Sequence, residues 1–573
     1  MDAELRDRIE RAAEEHALFN ALKHDADADA GAIMGPLMGD HPEFREHGGE
    51  VPGIVEPVVA AVNELSPSAR RERLAELAPA LVDELAAEED ADGEEPSLPP
   101  LPGADDVEQV RMRCAPNPNG PWHIGSARMP AVIGSYKDHY DGWFCVRFDD
   151  TDPETKRPML DAYDWILEDL AYLGFEADEV VRASDRLELY YDHARELIER
   201  GGAYTCDLPG EEFSALKNAG EPSPNRSKDA DTVREEFDQM VAGEYDPGEM
   251  VLRVRTDIDH PNPALRDWVA FRLIDTPHPR DAAADYRCWP LLDFQSGIDD
   301  QLLGITHIIR GIDLQDSAKR QQFVYDYFDW EYPDVLHWGH VNVDEYDVPM
   351  STSAIADRIA DGTVAGWDDP RVPTLRSLRR RGIRGAAIVD AMAELGVSTS
   401  GVDLAMSSIY ANNRERIDDD TDRRFFVADP VTVGLAGDHP DTANPPRHPT
   451  EERGTRSIPV DDAVLLEADD RPAADERVWL KGLGCFRASA DGLDWTGDRI
   501  DVVREESVPV VHWVPEAAAV PVTVRRPDGI DRGLAEPGTA DEDPDTMLQF
   551  ERYGFVRVDE RTSESTVAFF AHD

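Results

Sequence analysis

A histidine and a glycine lie between a proline-rich turn and a predicted helix, a combination that could bind a nucleotide. Pro116, Pro118 and Pro121 would keep the turn rigid and open, and Gly125 leaves room for a flat ring against the backbone. His123 directly precedes the helix, whose N-terminal amide groups favour anions. The group suits a nucleoside triphosphate, with His123 donating a hydrogen bond to a phosphate. Taken alone, an ordinary turn with a capping histidine is the simpler explanation.

The surrounding pattern predicts a parallel α/β core that would position these residues. Residues 110–115 ("VRMRCA") and 143–148 ("WFCVRF") read as strands, with a helix from about Ala127 to Tyr140 between them. This β-α-β order is typical of a parallel sheet, in which ligands bind at the carboxyl ends of the strands. Further strands are predicted at 304–310 and 335–343. The sequence therefore predicts a doubly wound sheet that is interrupted by an inserted domain.

The rest of the 573-residue chain indicates several domains of a multidomain α/β plus β protein. Its start has a helical stripe, its middle is helical and rich in Arg, and its last part shows short, evenly spaced strands typical of β-barrels. The predicted divisions are an N-terminal helical module (1–88), an acidic, Pro-rich linker (89–107), a first half of the core (108–183), an inserted domain (184–285), a second half of the core (286–345), a loop and helical connector (346–422) and a β-barrel region (423–573).

The charge of the chain is extreme, with a formal net charge of −61 and only 7 Lys against 51 Arg. Molar salt shortens the Debye length to about 3 Å and screens such repulsion, so the composition indicates adaptation to high salt. The five Cys are scattered without a C-x-x-C pair, so we expect reduced thiols and neither disulfides nor a zinc site. No apolar run suits a membrane span, and the charged N-terminus lacks a signal core, so a soluble, cytoplasmic protein is expected.

Ordered motifs between residues 108 and 560 resemble class I aminoacyl-tRNA synthetases of the glutamate–glutamine branch. The first, "MRCAPNPNGPWHIGSAR" (112–128), is similar to the HIGH signature of that family, with Ser126 in place of the last histidine. The others follow in family order: "RFDDTDPE" (147–154), "GITHIIRGIDLQDS" (304–317), "VPMSTSAI" (348–355), "GWDDPRVPTLRSLRRRGI" (366–383), "VHWVP" (511–515) and "GLAEPG…QFERYGFVRVD" (533–559). The details are closest to the archaeal glutamyl form, and the charge suggests a haloarchaeal one.

This resemblance implies a class I Rossmann-type core with an inserted acceptor-stem domain, a helical connector and C-terminal β-barrels that bind the anticodon. It implies ATP-dependent ligation of L-glutamate to the 3′ end of tRNA(Glu) through glutamyl-adenylate. Mg²⁺ is expected with the ATP phosphates, held mainly by substrate and water. Charging of tRNA(Gln) as well is left open, and a monomer is expected.

The resemblance also assigns residues to the amino-acid pocket. Arg113 and Asp149 would flank the backbone end of glutamate, with Asp149 facing the ammonium group. Arg310 would bind the side-chain carboxylate through two parallel hydrogen bonds. Glutamine would place amide donors against these donors, so Arg310 favours glutamate. Asp299 and Asp300 match the substrate-site segment without an assigned step, and Leu292 stands where relatives often have Tyr.

Two signatures would form the ATP site. The ATP-binding residues implied are Pro118, His123, Gly125, Met350, Ser351, Thr352 and Ser353, and the catalytic set is His123, Gly125, Ser126, Ser351, Ser353 and Arg358. Relatives have a lysine where this chain has Ala354, and that lysine would stabilise the departing pyrophosphate. We expect Arg358, one helical turn later, or backbone amides of the loop to replace it.

Candidate tRNA contacts are two sets of residues in the C-terminal half. Arg379, Arg380 and Arg381 lie in an Arg-rich stretch that corresponds to the tRNA-facing connector of relatives, while a solvated helix face is the plainer explanation. Arg552 and Phe555 are expected in the distal barrel.

Two other functions remain open at this point. A glutaminyl-tRNA synthetase of the same fold is one, although "APNP" and Arg310 favour glutamate. A catalytically silent paralogue that binds tRNA or amino acid is the other, suggested by the missing signature lysine.

Overall fold

The computed structural model describes most of the chain, and the part of the predicted linker between residues 89 and 97 lies outside it. The described residues are 3–23, 28, 30–31, 33–34, 37, 44, 51–63, 65, 67–78, 81, 98–343, 346, 350–497, 499–501, 503, 506–562 and 565–573. The chain divides into two compact units, Met1–Ser97 and Leu98–Asp573.

The N-terminal unit contains three described helices that share one apolar core, as its helical pattern predicts. They are α1 (Ala3–Lys23), α2 (Pro52–Asn63) and α3 (Pro67–Leu77). Ile9, Val55 and Leu74 are buried in that core. Arg73 and Glu14 form an ion pair of 2.7 Å that joins α3 to α1.

The second unit begins with a parallel β-α-β arrangement at the positions that the sequence predicts. Its described elements are β1 (Arg111–Cys114), α4 (Ile124–His139), β2 (Trp143–Phe148), α5 (Leu160–Tyr172), β3 (Glu179–Arg182) and α6 (Leu187–Glu199). β1 and β3 both pair with β2 in parallel. α4 begins three residues before the predicted start, because His123 caps it.

An antiparallel sheet with two helices follows as the inserted part. It consists of β4 (Ala203–Cys206), α7 (Gly210–Ala219), α8 (Ala230–Val241), β5 (Val251–Val254), β6 (Val269–Leu273) and β7 (Cys288–Pro290), paired in the order β4-β5-β6-β7. β7 lies beyond residue 285, so this sheet extends past the predicted boundary. Asp150, two residues after β2, accepts hydrogen bonds from Ser184 and Tyr163. Its carbonyl group contacts His278, and these contacts fix the junction.

The chain then returns to the parallel core and continues into the helical connector. The elements are α9 (Leu292–Leu302), β8 (His307–Gly311), α10 (Gln315–Phe328), β9 (Asp334–Trp338), β10 (Val341–Asn342), α11 (Thr352–Ala360), α12 (Leu375–Arg381), α13 (Gly385–Glu394), β11 (Val402–Asp403) and α14 (Met406–Ile417). β8 and β9 are parallel. Thr306 N donates to Arg111 O at 2.9 Å, which places β8 beside β1.

The C-terminal region forms two curved sheets, each of seven strands among the described residues. The strands are β12 (Asp422–Arg424), β13 (Phe426–Val427), β14 (Pro430–Ala436), β15 (Thr442–Ala443), β16 (Ile458–Pro459), β17 (Ala463–Glu467), β18 (Arg477–Leu480), β19 (Gly484–Ala488), β20 (Leu493–Gly497), β21 (Val510–Val511), β22 (Val514–Pro515), β23 (Val520–Arg525), β24 (Ile530–Ala535), β25 (Met547–Phe550), β26 (Gly554–Arg561) and β27 (Thr566–His572). β15 and β16 form a separate pair.

The strand order explains why both sheets curl into barrel-like shapes. The first sheet has the order β12-β25-β26-β27-β23-β24-β13, and the second has the order β21-β18-β19-β20-β14-β17-β22. In each sheet the two edge strands are close neighbours in sequence, separated only by Phe425 in the first. A sheet whose two edges are joined by so short a connection must bend round on itself. We call them the connector-side barrel and the second barrel, since β26 and β27 of the first pack against α12.

The end of the predicted linker is folded onto the core and is not a free linker. Leu101 is buried, and its N–H donates to the hydroxyl of Tyr140 at 2.9 Å. Tyr136 donates to the carbonyl group of Pro99 at 2.7 Å, and His307 contacts that of Pro102 at 2.8 Å. In a solvated linker, which the composition predicts, the carbonyl groups of Pro99 and Pro102 would face water. Here they are bound by side chains of the core. Nowhere in the described chain is a helix both long enough and apolar enough to pass through a bilayer.

Candidate active site

His123 caps α4 and is held as a neutral hydrogen-bond donor. Its Nδ1 accepts from the N–H of Ser126 at 3.2 Å, while Ser126 Oγ accepts from the N–H of His123 at 2.9 Å. Because Nδ1 is an acceptor, the ring proton of neutral His123 resides on Nε2. Burial lowers the pKa of His123 to about 4, so the ring is neutral near pH 7. Nε2 can therefore donate to a phosphate oxygen, as the sequence predicts for this residue.

The loop that carries His123 is fastened on both sides by backbone hydrogen bonds. Ile124 N donates to Pro373 O at 2.8 Å, and Leu375 N donates to Trp122 O at 2.9 Å. On the other side, the carbonyl group of Pro118 accepts from Met159 N at 2.8 Å. The loop is thus fixed to the start of α12 and to the segment after β2.

The second signature lies against the glycines of the first. A Cβ atom on Gly125 would lie 3.0 Å from Met350 Cε, and one on Gly120 would collide with Thr352. Glycine at both positions therefore permits the close approach of the two signatures. The start of the predicted "VPMSTSAI" segment, residues 348 and 349, lies outside the described residues.

Helix α11 begins within the second signature and presents its N-terminus there. Ser351 is its N-cap but forms no side-chain capping hydrogen bond. The first amide groups of a helix lack partners in the helix and favour anions, so this end suits a phosphate group. Ser353 is exposed in its first turn, and Arg358 lies half-buried in its last turn, one turn beyond Ala354.

Two buried arginines and the carboxylates around them form an ionic cluster under the signatures. Arg113 donates two hydrogen bonds to Asp300, at 2.9 and 3.1 Å. Arg147 donates to Asp300 at 2.7 Å and to Asp149 at 2.7 Å. Burial alone would raise the pKa of Asp300, but Arg113 and Arg147 bring it below the usual range. Asp299 instead accepts from Tyr190 and Arg186.

This cluster gives Arg113 and Asp149 partners that the sequence did not predict. Asp300 engages Nε and Nη2 of Arg113, and the contact of Arg113 with the amino acid stays a prediction. Asp149 also has a cationic partner, and burial raises its pKa although Arg147 opposes this. The sequence reasoning missed Arg147, which is fully buried. An arginine within the apolar strand "WFCVRF" was the signal for it.

Arg310 differs from these arginines because it has no carboxylate partner in the described structure. It lies near the end of β8 and is only 6% exposed. Its Nη1 and Nη2 both donate to Gln321 Oε1 at 3.2 Å, and Nη2 also donates to the hydroxyl of Tyr332 at 2.7 Å. Its Nε, also buried, has no acceptor among the described residues. A buried positive charge held only by neutral groups suits an anionic ligand.

The structure places three of the predicted tRNA contacts differently from the sequence expectation, two of them in buried positions. Arg381 is 1% exposed and donates to the carbonyl groups of Phe570 and Ala571, so it stabilises the junction between α12 and the connector-side barrel. Phe555 is fully buried, because it packs in the core. Phe555 and Arg552 both lie by β26, in the connector-side barrel and not in the distal one.

The remaining candidates lie at the surface. Arg380 forms ion pairs with Asp559 and Asp368, and Arg552 is paired with Asp470. Arg379 is exposed, its guanidinium lies 5.9 Å from the ring of Tyr172, and no ion pair of it is found among the described residues. Arg379 is therefore the most available cation of the predicted set.

One group of side chains has the composition of a metal site but is satisfied internally. Asp418, Asp419 and His448 lie with ligand atoms within 4.8 Å of one another. However, Asp418 is paired with Arg423 at 2.6 Å. Both ring nitrogens of His448 are also used, one by the carbonyl group of Asp418 and the other by backbone N–H groups near Thr450.

The five cysteines are buried and unpaired.

Comparison with known proteins gives the same assignment along the whole chain. The family described as "tRNA synthetases class I (E and Q), catalytic domain" matches residues 109–419, and the two anti-codon binding domains of that family match residues 421–503 and 510–559. A "Glutamate--tRNA ligase" of Natronomonas pharaonis is 64% identical over 573 residues, covering 100% of both chains. One from Haloarcula marismortui is 64% identical over 582 residues, again covering 100% of both.

The catalytic match spans both signatures, the ionic cluster and Arg310, and the two anticodon-domain matches cover strands of both barrels up to residue 559. The fold class expected from the sequence is thereby confirmed. With relatives of this identity over the full length, the chain belongs to the glutamate and glutamine family of class I tRNA synthetases.

Proposed function

We propose that the protein is a glutamate–tRNA ligase that joins L-glutamate to the 3′ end of tRNA(Glu) at the expense of ATP. The single observation that carries this proposal is the buried Arg310, whose hydrogen-bond partners in the described structure are all neutral. A γ-carboxylate would complete it, whereas the amide of glutamine would bring donors against donors. The names of the haloarchaeal relatives support the same substrate.

The reaction has two steps, formation of glutamyl-adenylate and transfer of glutamate to tRNA. The α-carboxylate of glutamate attacks the α-phosphorus of ATP, and the bond to the bridging oxygen breaks to release pyrophosphate. A terminal ribose hydroxyl of tRNA then attacks the acyl carbon, loses its proton and displaces AMP. His123 donates from Nε2 to a phosphate as charge develops there. The N-terminal amide groups of α11, with Arg358 as the expected cation, stabilise the departing pyrophosphate.

ATP is a substrate of class I synthetases, and Mg²⁺ would accompany it, held by the phosphates and water. Glutamate, ATP and tRNA are the partners that the family implies. We further propose that Arg379 lies on the tRNA-facing side of α12. The monomeric state, the cytoplasmic location and charging of tRNA(Gln) stay predictions.

A charging assay in molar KCl tests the proposal. Purified tRNA(Glu) and tRNA(Gln) are each incubated with ATP and with labelled glutamate or glutamine. We expect glutamate to be attached to tRNA(Glu), and charging of tRNA(Gln) decides whether the enzyme discriminates. Preferential attachment of glutamine would establish the glutaminyl alternative. Binding of tRNA without any charging, together with no pyrophosphate exchange either with or without tRNA, would establish a silent paralogue.

A further inference from the structure

The guanidinium of Arg310 is held by two neutral side chains from a helix and the turn after it. Gln321 lies on α10 and is fully buried, and Tyr332 lies between α10 and β9. Gln321 Oε1 accepts from both Nη1 and Nη2 of Arg310, and it also accepts from the hydroxyl of Tyr332 at 2.5 Å. The three groups therefore form a closed triangle of hydrogen bonds.

The direction of each hydrogen bond in this triangle is fixed by chemistry. Arg310 can only donate, so the atom of Gln321 that faces it must be the carbonyl oxygen. The amide nitrogen of Gln321 consequently faces away from the guanidinium, and it is buried without an acceptor in the described structure. Tyr332 donates to Gln321 and accepts from Arg310, so its rotation is fixed as well.

The other buried arginines nearby are held differently. Arg113 and Arg147 are each bound by aspartates, whose negative charges balance them. On the neighbouring strand β9, His337 is paired with Arg310 in the register of β8 and β9. Burial, followed by the charge of Arg310, lowers the pKa of His337, so this neighbour is also neutral. Among the described residues, Arg310 thus forms hydrogen bonds with neutral groups only. The charge of Asp300 also reaches Arg310, but Arg113 and Arg147 already bind that carboxylate.

We propose that Gln321 and Tyr332 are positioning residues that set amino-acid specificity by orienting the Arg310 guanidinium through neutral acceptors only. This inference rests on the proposed function, because it assigns a carboxylate of the amino acid as the ionic partner that hydrogen-bonds to Arg310. A carboxylate at position 321 would form an internal ion pair and remove the charge of Arg310 from the substrate. An amide of the same shape keeps the geometry and leaves the charge available.

The substitution Gln321→Glu tests the proposal because it changes charge at nearly constant shape. We expect the KM for glutamate to rise about 30-fold while the KM for ATP stays within about twofold, as expected for loss of a charged hydrogen bond to one substrate. The preference for glutamate over glutamine should fall in parallel. The matched control is Gln322→Glu, the same change at the next position of α10, where the side chain is exposed. It should leave both KM values unchanged.

Tyr332→Phe provides an independent variant that removes one acceptor and keeps the ring against Tyr325. A rise of about fivefold in the KM for glutamate, with kcat nearly unchanged, is expected from the loss of one hydrogen bond to Arg310. This variant decides the question if Gln321→Glu unfolds, which thermal unfolding in the same buffer would reveal.

The outcomes separate this inference from the proposed function. If wild type attaches glutamate but Gln321→Glu, fully folded, keeps its KM and its preference, the positioning role is refuted while the function stands. If Tyr332→Phe raises the KM values for glutamate and ATP equally, the effect is structural and the inference is again refuted. If wild type prefers glutamine, the proposed function itself fails.

Discussion

The backbone N–H of Trp122 donates a hydrogen bond of 3.0 Å to Oδ2 of Asp169, which joins the first signature to α5. Asp169 is only 3% exposed. Burial raises the pKa of this carboxyl group to about 7, although the hydrogen bond from Trp122 and the charge of Arg376 oppose the rise. The loop that carries His123 is therefore attached to a carboxyl group that titrates near neutral pH.

Asp169→Asn should remove a pH dependence of stability. In the folded protein Asp169 stays protonated up to about pH 7, whereas in the unfolded chain it ionises near pH 4, so its contribution to stability is present at low pH and is lost as pH rises through 7. Unfolding in molar KCl at pH 5 to 8 should therefore show a shallower decline with pH for Asp169→Asn. Asp164→Asn, exposed on the same helix, is the control and should behave like wild type.

His123→Ala should slow adenylate formation by about 100-fold, because one donor to the transition-state charge is lost. With a pKa of about 4, His123 is neutral from pH 5.5 to 8. The ratio of wild-type to variant rates in pyrophosphate exchange with tRNA present should then be constant over that range. A ratio that changes around pH 6.5 would contradict a neutral donor.

Local pattern explains why the core could be predicted from sequence. The segments that form β1 and β2 are recognised without a distant partner, and the short strands after Phe425 alternate with turns. The assignment of the strands to the two barrels could not be predicted, since strands of one barrel lie between strands of the other along the sequence. Pairing of β12 with β25 joins residues more than a hundred positions apart, and no local pattern encodes it.

The sequence proposes residues for the site but not their partners. His123 and Arg310 were assigned from the ordered motifs, and their types suit phosphate and carboxylate ligands. The charge of Arg381 is equally suited to a phosphate. In the fold, however, Arg381 is buried and donates its hydrogen bonds to two carbonyl groups of β27. A linear sequence shows the charge of an arginine but not whether the fold has already used it.

Arg358→Ala should reduce the rate of adenylate formation on the order of 100-fold if Arg358 replaces the signature lysine. Arg358→Lys, which keeps the charge, should retain most of the activity. Pre-steady-state measurement of pyrophosphate release compares the two variants. An unchanged rate for Arg358→Ala would assign the stabilisation to the N-terminal amide groups of α11.

Arg381→Ala and Arg379→Ala should affect different properties. Removal of Arg381 leaves buried carbonyl groups without donors and should lower the free energy of unfolding by about 3 kcal/mol. Removal of the exposed Arg379 should leave unfolding unchanged and raise the KM for tRNA about threefold through loss of one phosphate contact. Denaturant unfolding and charging kinetics distinguish the two, and the reverse pattern would contradict the assignment.

The strand order of the connector-side barrel has a consequence for synthesis on the ribosome. β27 lies in the middle of that sheet, between β26 and β23, and its carbonyl groups are the acceptors for Arg381. The connector helices are made long before β27 leaves the exit tunnel, so the α12 junction must wait for residues 566–572. A nascent chain can complete its parallel core early, but the hydrogen bonds of Arg381 to β27 form only after residues 566–572 have been made.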